Sequence, residues 1–302
     1  MRFKRLDLNL LVALDILLEE CSVTRAASRL HLSQSATSGT MARLREYFAD
    51  ELLVPVGRQM VRTPLGASLC EPVRAVLLKI QSTIETKPGF DPLTSTRHFR
   101  IIASDYPVTV LLTECARRLA ERAPHVTLEV IAPDDTMQEL VARAEVDLVI
   151  IPEKYLIEEH PSEVLFEDTH VCAVWAGNES VGKGLTLAQY LAAGHVATNF
   201  GRRRGPSIDE LYLQHSGYAR RIEVTTNSFN TVPQYLIGTG RIATMHKRLA
   251  EVFTGFYPLR LLPSPIPIPV LVETMQWHRS LEFDLAHLWL RALLREVIQG
   301  SP

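Results

Sequence analysis

Gln34 and Ser38 stand one helical turn apart, with Ser35 beside them and Arg43 and Arg45 further along the same stretch. A glutamine carboxamide can pair with an adenine edge, and short hydroxyls can touch bases or phosphates. The two arginines, set further along, are placed to meet phosphates. This is recognition chemistry, not catalysis. Residues 22–45 hold four arginines (Arg25, Arg29, Arg43, Arg45) and no acid. Arg58 and Arg62 follow, just after the turn glycine Gly57, where they suit backbone phosphates or a minor groove. The ten histidines show no His-Glu-x-x-His spacing, and there is no Gly-x-Ser-x-Gly elbow and no Walker loop. Gly238-Thr-Gly240 echoes a dinucleotide loop but precedes a strand instead of following one. The four cysteines (Cys21, Cys70, Cys115, Cys172) are far apart and read as buried free thiols, with no disulfide scaffold and no zinc site. No enzyme, cofactor or metal is expected.

Those residues need elements to hold them. Leucines at 11, 14 and 18 follow the helical period over residues 6–20. A second short helix, Val23–Leu30, carries the small pair Ala26-Ala27, which allows close approach of another helix. After the turn His31-Leu-Ser33, Ser33 is placed to cap a helix from Gln34 to about Tyr47. Thr37, Met41, Leu44 and Phe48 form its inward stripe. Glu51–Arg62 has β-type residues around Gly57 and reads as a hairpin wing. Thr63 then caps a helix with Pro64 in its first position, running to about Thr86 along a seam of Leu69, Val73, Val76, Leu77, Ile80 and Ile84. That helix is too amphipathic for a simple linker and is expected to pair with a second copy. The Lys87-Pro-Gly-Phe-Asp-Pro92 stretch reads as a hinge.

The whole-chain numbers hide this arrangement. The 302 residues carry 32 Lys and Arg against 34 Asp and Glu, a net of −2, with 46% hydrophobic and 22% charged residues. Such a chain is globular and long enough for about two domains. No run reaches the ~18 apolar residues of a membrane span, and the N-terminus offers no export signal, so a cytoplasmic, non-membrane protein is expected. Near-neutral charge would argue against nucleic acid if it were evenly spread. Residues 1–65, however, hold nine Lys and Arg against seven Asp and Glu, leaving the acidic excess to the rest.

Leu6-Asp-Leu-Asn-Leu-Leu11, Ala26-Ala27, Leu32-Ser-Gln34, Arg43-Leu-Arg45, Asp50-Glu-Leu-Leu-Val54 and Thr63-Pro-Leu-Gly66 together resemble the LysR-type transcriptional regulators. In the C-terminal part Phe99–Asp105, Glu145–Ile151, Arg241–Thr244, Trp277 and Leu288–Arg291 resemble the subgroup holding NodD-type nodulation regulators and activators of aromatic-compound degradation. Two positions depart: Ser35 stands where the family usually has Pro, and Gly39 lacks the side chain many members present to a base. Ser38-Gly39 is itself similar to the NodD-like branch. The departures bear on the operator sequence, not on DNA binding.

From residue 98 strands and helices alternate: strands at 99–104, 126–131 and 147–152, helices at 108–121 and 136–144. The near-continuous apolar strands argue for parallel sheets covered on both faces. A second unit follows, with strands at 169–175, 195–199, 222–226 and 241–245. The proline run 263–269 crosses back to a last strand, 270–277, and a helix, 283–298. The expected fold is an N-terminal all-α winged helix-turn-helix (1–63) with a long linker helix (64–88) and hinge (89–97). A C-terminal α/β two-lobed domain of periplasmic-binding-protein type spans 98–302, with lobe I about 98–163 and 270–302 and lobe II about 164–269. Such folds bind small ligands at the carboxyl ends of strands. The candidate effector residues are therefore Ser104, Asp105, Tyr106, Pro107, Ile151, Pro152, Thr169, Asn199, Phe200, Arg203, Asn227, Phe229 and Met275. Tyr106, Phe200 and Phe229 could stack on an aromatic ring, and an arginine from 202–204 could neutralise a phenolate or carboxylate. His170 reads as a strand histidine.

The leading expectation is a DNA-binding regulator of double-stranded promoter DNA. The resemblance implies a homotetramer built from dimers, contact with RNA polymerase, and activation by a small aromatic effector: a flavonoid, a phenol, a chlorophenol or hydroquinone, or a nitroaromatic. Three alternatives stay open. A redox- or metabolite-sensing member of the same family would need a paired reactive cysteine or a non-aromatic ligand. A transport-type binding protein would need an export signal. An enzyme fused to a DNA-binding module would need a catalytic constellation.

Overall fold

The computed structural model describes residues 2, 3, 6–85, 89–200 and 205–300. The chain divides into two compact units, Met1–Lys87 and Pro88–Pro302.

In the first unit β1 (Arg2–Phe3) pairs antiparallel with β2 (Leu6–Asp7), ahead of α1 (Asn9–Glu20). The helix therefore starts later than the leucine spacing suggests. Asp7 is the reason: its Oδ1 accepts the Asn9 N–H at 3.1 Å, so the chain turns there before it coils. α2 (Val23–Leu30) is capped by Ser22, and α3 (Gln34–Phe48) by Ser33. β3 (Leu53–Val56) and β4 (Gln59–Arg62) form the wing around Gly57, whose φ of +61° suits the turn. α4 (Pro64–Glu85) follows.

Two of the sequence motifs explain each other. Asp50 Oδ1 accepts the Leu52 N–H at 2.6 Å and the Thr63 hydroxyl at 2.6 Å, while the Thr63 Oγ1 accepts the Gly66 N–H at 2.9 Å. The Thr63 N–H donates to the Leu52 carbonyl. A β-carbon on Gly66 would lie 2.4 Å from that same carbonyl oxygen, so the Asp50 loop and the start of α4 lock together only if residue 66 is glycine. Leu14, Leu17, Leu18, Met41, Leu44, Leu52 and Leu53 make the core, and Val73, with Leu69 and Leu77 beside it, brings α4 onto it. The α4 seam thus divides. One part is spent inside its own unit, while Val76 and Ile84 are exposed.

The second unit holds two mixed sheets. Its elements run β5 (His98–Ala103), α5 (Asp105–Pro107), a π-helical turn Val108–Leu112, α6 (Thr113–Arg122), β6 (Thr127–Ile131), α7 (Met137–Ala142), β7 (Leu148–Pro152) and β8 (Ser162–Asp168). Then come β9 (His170–Trp175), α8 (Leu187–Ala192), β10 (Gly194–Phe200), β11 (Gly205–Pro206), α9 (Ile208–His215) and β12 (Arg221–Thr226). A 3₁₀ segment Phe229–Tyr235, β13 (Ile242–His246), α10 (Lys247–Thr254), β14 (Leu259–Pro263), β15 (Leu271–Gln276), a 3₁₀ turn Arg279–Leu281 and α11 (Leu285–Gln299) complete the chain.

Lobe I has the strand order β6-β5-β7-β15-β8, and lobe II the order β11-β10-β13-β9-β14, with β12 also on β10. The expected all-parallel sheets are not found. β15 runs antiparallel to β7 and β8, and β9 antiparallel to β13 and β14. The cause is topological, because a strand that arrives from the other lobe enters its sheet from the opposite end. The first crossover lies at Thr169 rather than near residue 163, since β8 stays paired with β15 as far as Asp168. A large core is shared by both lobes and includes Tyr106, Phe166, Phe229, Met245, Leu271 and Met275. Among the described residues no helix is long and apolar enough to cross a membrane.

Candidate DNA interface and effector cleft

In the first unit the expected recognition helix is built as anticipated. Ser33 Oγ accepts the Ala36 N–H at 3.1 Å and lies 3.0 Å from the Ser35 hydroxyl. Thr37, Met41 and Leu44 are buried, which turns Gln34, Ser35, Ser38, Gly39 and Arg43 to the exposed side. The hydroxyl of Ser35 therefore does double duty: it closes the first turn and stays open to solvent. Arg58, at the tip of the wing, is exposed too.

The other arginines are already occupied. Arg25 Nε sits 2.8 Å from Glu20 Oε2, and Arg29 joins Glu19 and Glu20. Hydrogen bonds from Arg29 and Arg25 hold the Glu20 carboxyl below the usual carboxylate range. Arg45 donates to the Glu51 carbonyl at 2.9 Å and the Leu53 carbonyl at 3.0 Å, tying the end of α3 to the wing. Arg62 Nε donates to the Leu18 carbonyl at 2.6 Å. A sequence shows where arginines stand, but not which of them are claimed by helix ends.

The second unit places the predicted cleft residues in three groups. Ser104, Pro152 and Asn199 are half-buried at strand ends, and Thr169 and Asn227 are exposed. Asp105 forms a contact between the lobes, accepting from the Ser228 hydroxyl at 2.6 Å and the Asn230 N–H at 2.9 Å. Tyr106, Pro107, Ile151, Phe229 and Met275 are buried. The Tyr106 hydroxyl donates to Asp168 Oδ2 at 2.6 Å, and its ring stacks on His246 with centroids 4.2 Å apart. Phe229 meets Tyr106 and His246 edge-on, at 6.3 and 4.8 Å. Tyr106 and Phe229 are therefore wall residues of the lobe boundary, not free rings; their edges fill one another's space. Ile151 packs in a separate lobe I cluster, and Met275 in the shared core. Arg203 and the side chain of Phe200 lie outside the described residues.

Sequence reasoning missed the polar groups behind this wall. Asp168 accepts from Tyr106, from the Thr169 N–H at 2.7 Å and from the Arg248 N–H at 3.1 Å, so a lobe I strand end is bonded to the start of lobe II helix α10. Arg248 lies 5.0 Å over the Phe166 ring. Burial pushes the Tyr106 phenol up, reinforced by the Asp168 charge. His170 lies on β9 beside His246, ring centroids 5.0 Å apart. Burial pushes both imidazoles down, His246 to about 3. Glu273 is 2% exposed, and burial with the Asp168 charge pushes its carboxyl up to about 8.

Lobe II holds a second hidden group. The Arg220 side chain is 1% exposed and meets Asp209 at 3.1 Å, Tyr190 at 2.9 Å, Thr244 at 3.1 Å and Glu210. Burial pushes Asp209 up, but Arg220 and the Ser207 hydroxyl more than reverse this. A charge inside an apolar strand pattern was the available signal, and Glu273 in Val270–Met275 shows it.

These two units define a DNA-binding regulator with a separate ligand-sensing body. Residues 8–67 match the bacterial regulatory helix-turn-helix of the lysR family, and residues 94–299 match the LysR substrate binding domain. The chain belongs to the LysR family of transcriptional regulators. It is 43% identical over 296 residues to nodulation protein D 1 of Bradyrhizobium elkanii, covering 98% of this chain and 94% of that protein. The regulatory domain of MexT, a transcriptional activator in Pseudomonas aeruginosa, superposes with a TM-score of 0.58 at 25% identity, over 66% of this chain and 99% of that one. Full-length OxyR from the same organism shares the fold, with a TM-score of 0.68 at 16% identity over 99% and 96% of the two chains. These relatives are regulators, not enzymes.

Proposed function

We propose that this LysR-type regulator activates transcription when a small aromatic effector occupies the boundary between the two lobes. The observation that carries this reading is the aromatic wall at the lobe boundary, where Tyr106 packs on Phe166, Phe229 and His246 next to the half-buried strand-end residues Ser104 and Asp105. Aromatic faces and edges give shape to a flat ligand, and a few polar groups orient it. Asp105, Ser228 and Asn230 bond across the lobes, so a ligand there changes how the lobes meet; preference for one arrangement is what couples ligand to promoter. A phenol, flavonoid, hydroquinone or nitroaromatic fits the class. Gln34, Ser35 and Ser38 read bases, and Arg43 and Arg58 hold phosphates. Arg25, Arg45 and Arg62 brace the reading head through bonds inside the unit, Arg25 and Arg62 from its exposed surface. Exposed Val76 and Ile84 on α4 support pairing with a second copy, and a homotetramer in contact with RNA polymerase is the working assembly.

The redox alternative is not favoured by the thiols. Of the four thiols expected to be buried, only Cys115 and Cys172 are, and burial pushes both up to about 12, away from reactive thiolate. Cys21 and Cys70 are half-buried, with Sγ on the Leu18 carbonyl at 3.3 Å and the Gly66 carbonyl at 3.4 Å. The test is a thermal-shift screen of the full chain against phenolics. A ligand at a hundred times its Kd adds about 2.7 kcal/mol of stability, which is a clear rise in Tm. If no aromatic compound raises the Tm, the aromatic reading falls.

A further inference from the structure

Glu273 lies on β15 between Leu271 and Met275, both members of the core shared by the lobes, and opposite Phe166 and Pro152 on the neighbouring strands. Strand alternation puts its side chain on the same face as those two residues. It is 2% exposed, and among the described residues its Oε2 has no hydrogen-bond partner. The ladder to β8 slips between Glu273 and Thr274, and such irregularities concentrate next to functional sites. The neighbouring acid, Asp168, is fully engaged by Tyr106, Thr169 and Arg248, and the Arg248 guanidinium lies over Phe166. Among the described residues no cation is bonded to Glu273.

A buried carboxyl without a partner is costly, and native proteins rarely keep one without a use. Held protonated beside the Asp168 carboxylate, it offers one donor and one acceptor at a single point. A hydroxyl group matches that pair; a carboxylate would bring a further negative charge next to Asp168. We infer that Glu273 is the specificity residue that reads a hydroxyl of the effector and, with Asp168, turns away aromatic carboxylates. This rests on the aromatic reading above and narrows it.

The experiment is calorimetric titration of the full chain with catechol, 1,2-dichlorobenzene and benzoate. The wild-type protein is expected to bind catechol at least about tenfold more tightly than benzoate. Glu273→Leu should weaken catechol about tenfold and leave dichlorobenzene unchanged, while Glu273→Gln, which keeps a donor and an acceptor, stays within about threefold of wild type. A merely structural role would weaken all ligands together. Benzoate binding as tightly as catechol, or catechol affinity unchanged in Glu273→Leu, overturns the assignment. Should the leucine variant not fold, the catechol-to-benzoate ratio in wild type still decides. If none of the three compounds binds, the aromatic reading itself fails; if dichlorobenzene and benzoate bind and catechol does not, only the Glu273 assignment does.

Discussion

The first unit keeps its candidate recognition groups in water, and the second keeps its most distinctive polar groups out of it. Gln34, Ser38, Arg43 and Arg58 stand on surfaces whose backs are packed with leucine and methionine. Tyr106, Asp168, Arg220, His246 and Glu273 are enclosed. The contrast follows from the partners. DNA is large, charged and always hydrated, so a protruding helix meets it without opening the protein. A small ligand offers little surface, so its site must be nearly closed and its polar groups held by others. The same difference sets what mutation does: exposed groups can be removed with little cost to folding, buried ones cannot.

The contrast can be broken most forcefully at Arg220. Arg220→Met leaves Asp209 and Glu210 buried without their counter-charge and should cost about 3–5 kcal/mol, seen as a lower denaturant midpoint of the 88–302 transition. A smaller loss would mean that lobe II lets water reach the acids.

Next in size is a pH effect at Glu273, which interacts electrostatically with Asp168 and Tyr106. Its pKa is raised by folding, so the folded state binds more protons than the unfolded chain between about 4.5 and about 8. Stability from this group is greatest below that window and falls as pH rises through it. His246 acts in the other direction: its pKa is lowered, so stability present above 6.5 is lost as pH falls towards about 3. Glu273→Gln should flatten the fall on the alkaline side and leave the acid limb intact in urea melts at stepped pH.

On the exposed side Gln34→Ala should lose about 1–3 kcal/mol on the operator and little on random duplex. Arg58→Ala should weaken both alike and reduce the salt slope by about one. Equal effects of the two substitutions on both duplexes would collapse the division between reading and holding. The smallest expected change is Ser33→Ala, about 1 kcal/mol through loss of the α3 cap, measured as a shift in the first unit's melting temperature.

The helix-turn-helix was largely legible because its information is local. Ser33 caps because of what lies three residues ahead, and Thr37, Met41 and Leu44 face inward because a helix has one period. The wing was legible from Gly57, and the two-lobed alternation from its apolar strands. Other features were not. Asp7 moved the start of α1. β14 went unseen, and β8 was assigned to no sheet, because strand pairing joins residues a hundred positions apart, as with Val272 and Glu167. The candidate cleft was half legible: strand ends such as Ser104 and Asn199 follow from topology, while the packing of Tyr106 and Phe229 against one another does not.

Sequence alone determined the family, the basic head within a near-neutral chain and the face that Gln34 presents, since each depends on composition or on spacing within a few turns. Tertiary structure alone decided which arginines are free and which acids are buried together. Arg45 and Arg62 are claimed by carbonyls, and Asp168 meets Tyr106 across 62 positions. Charges acquire their meaning from neighbours in space, because burial and partners, not residue type, set what a charged group costs and what it can bind.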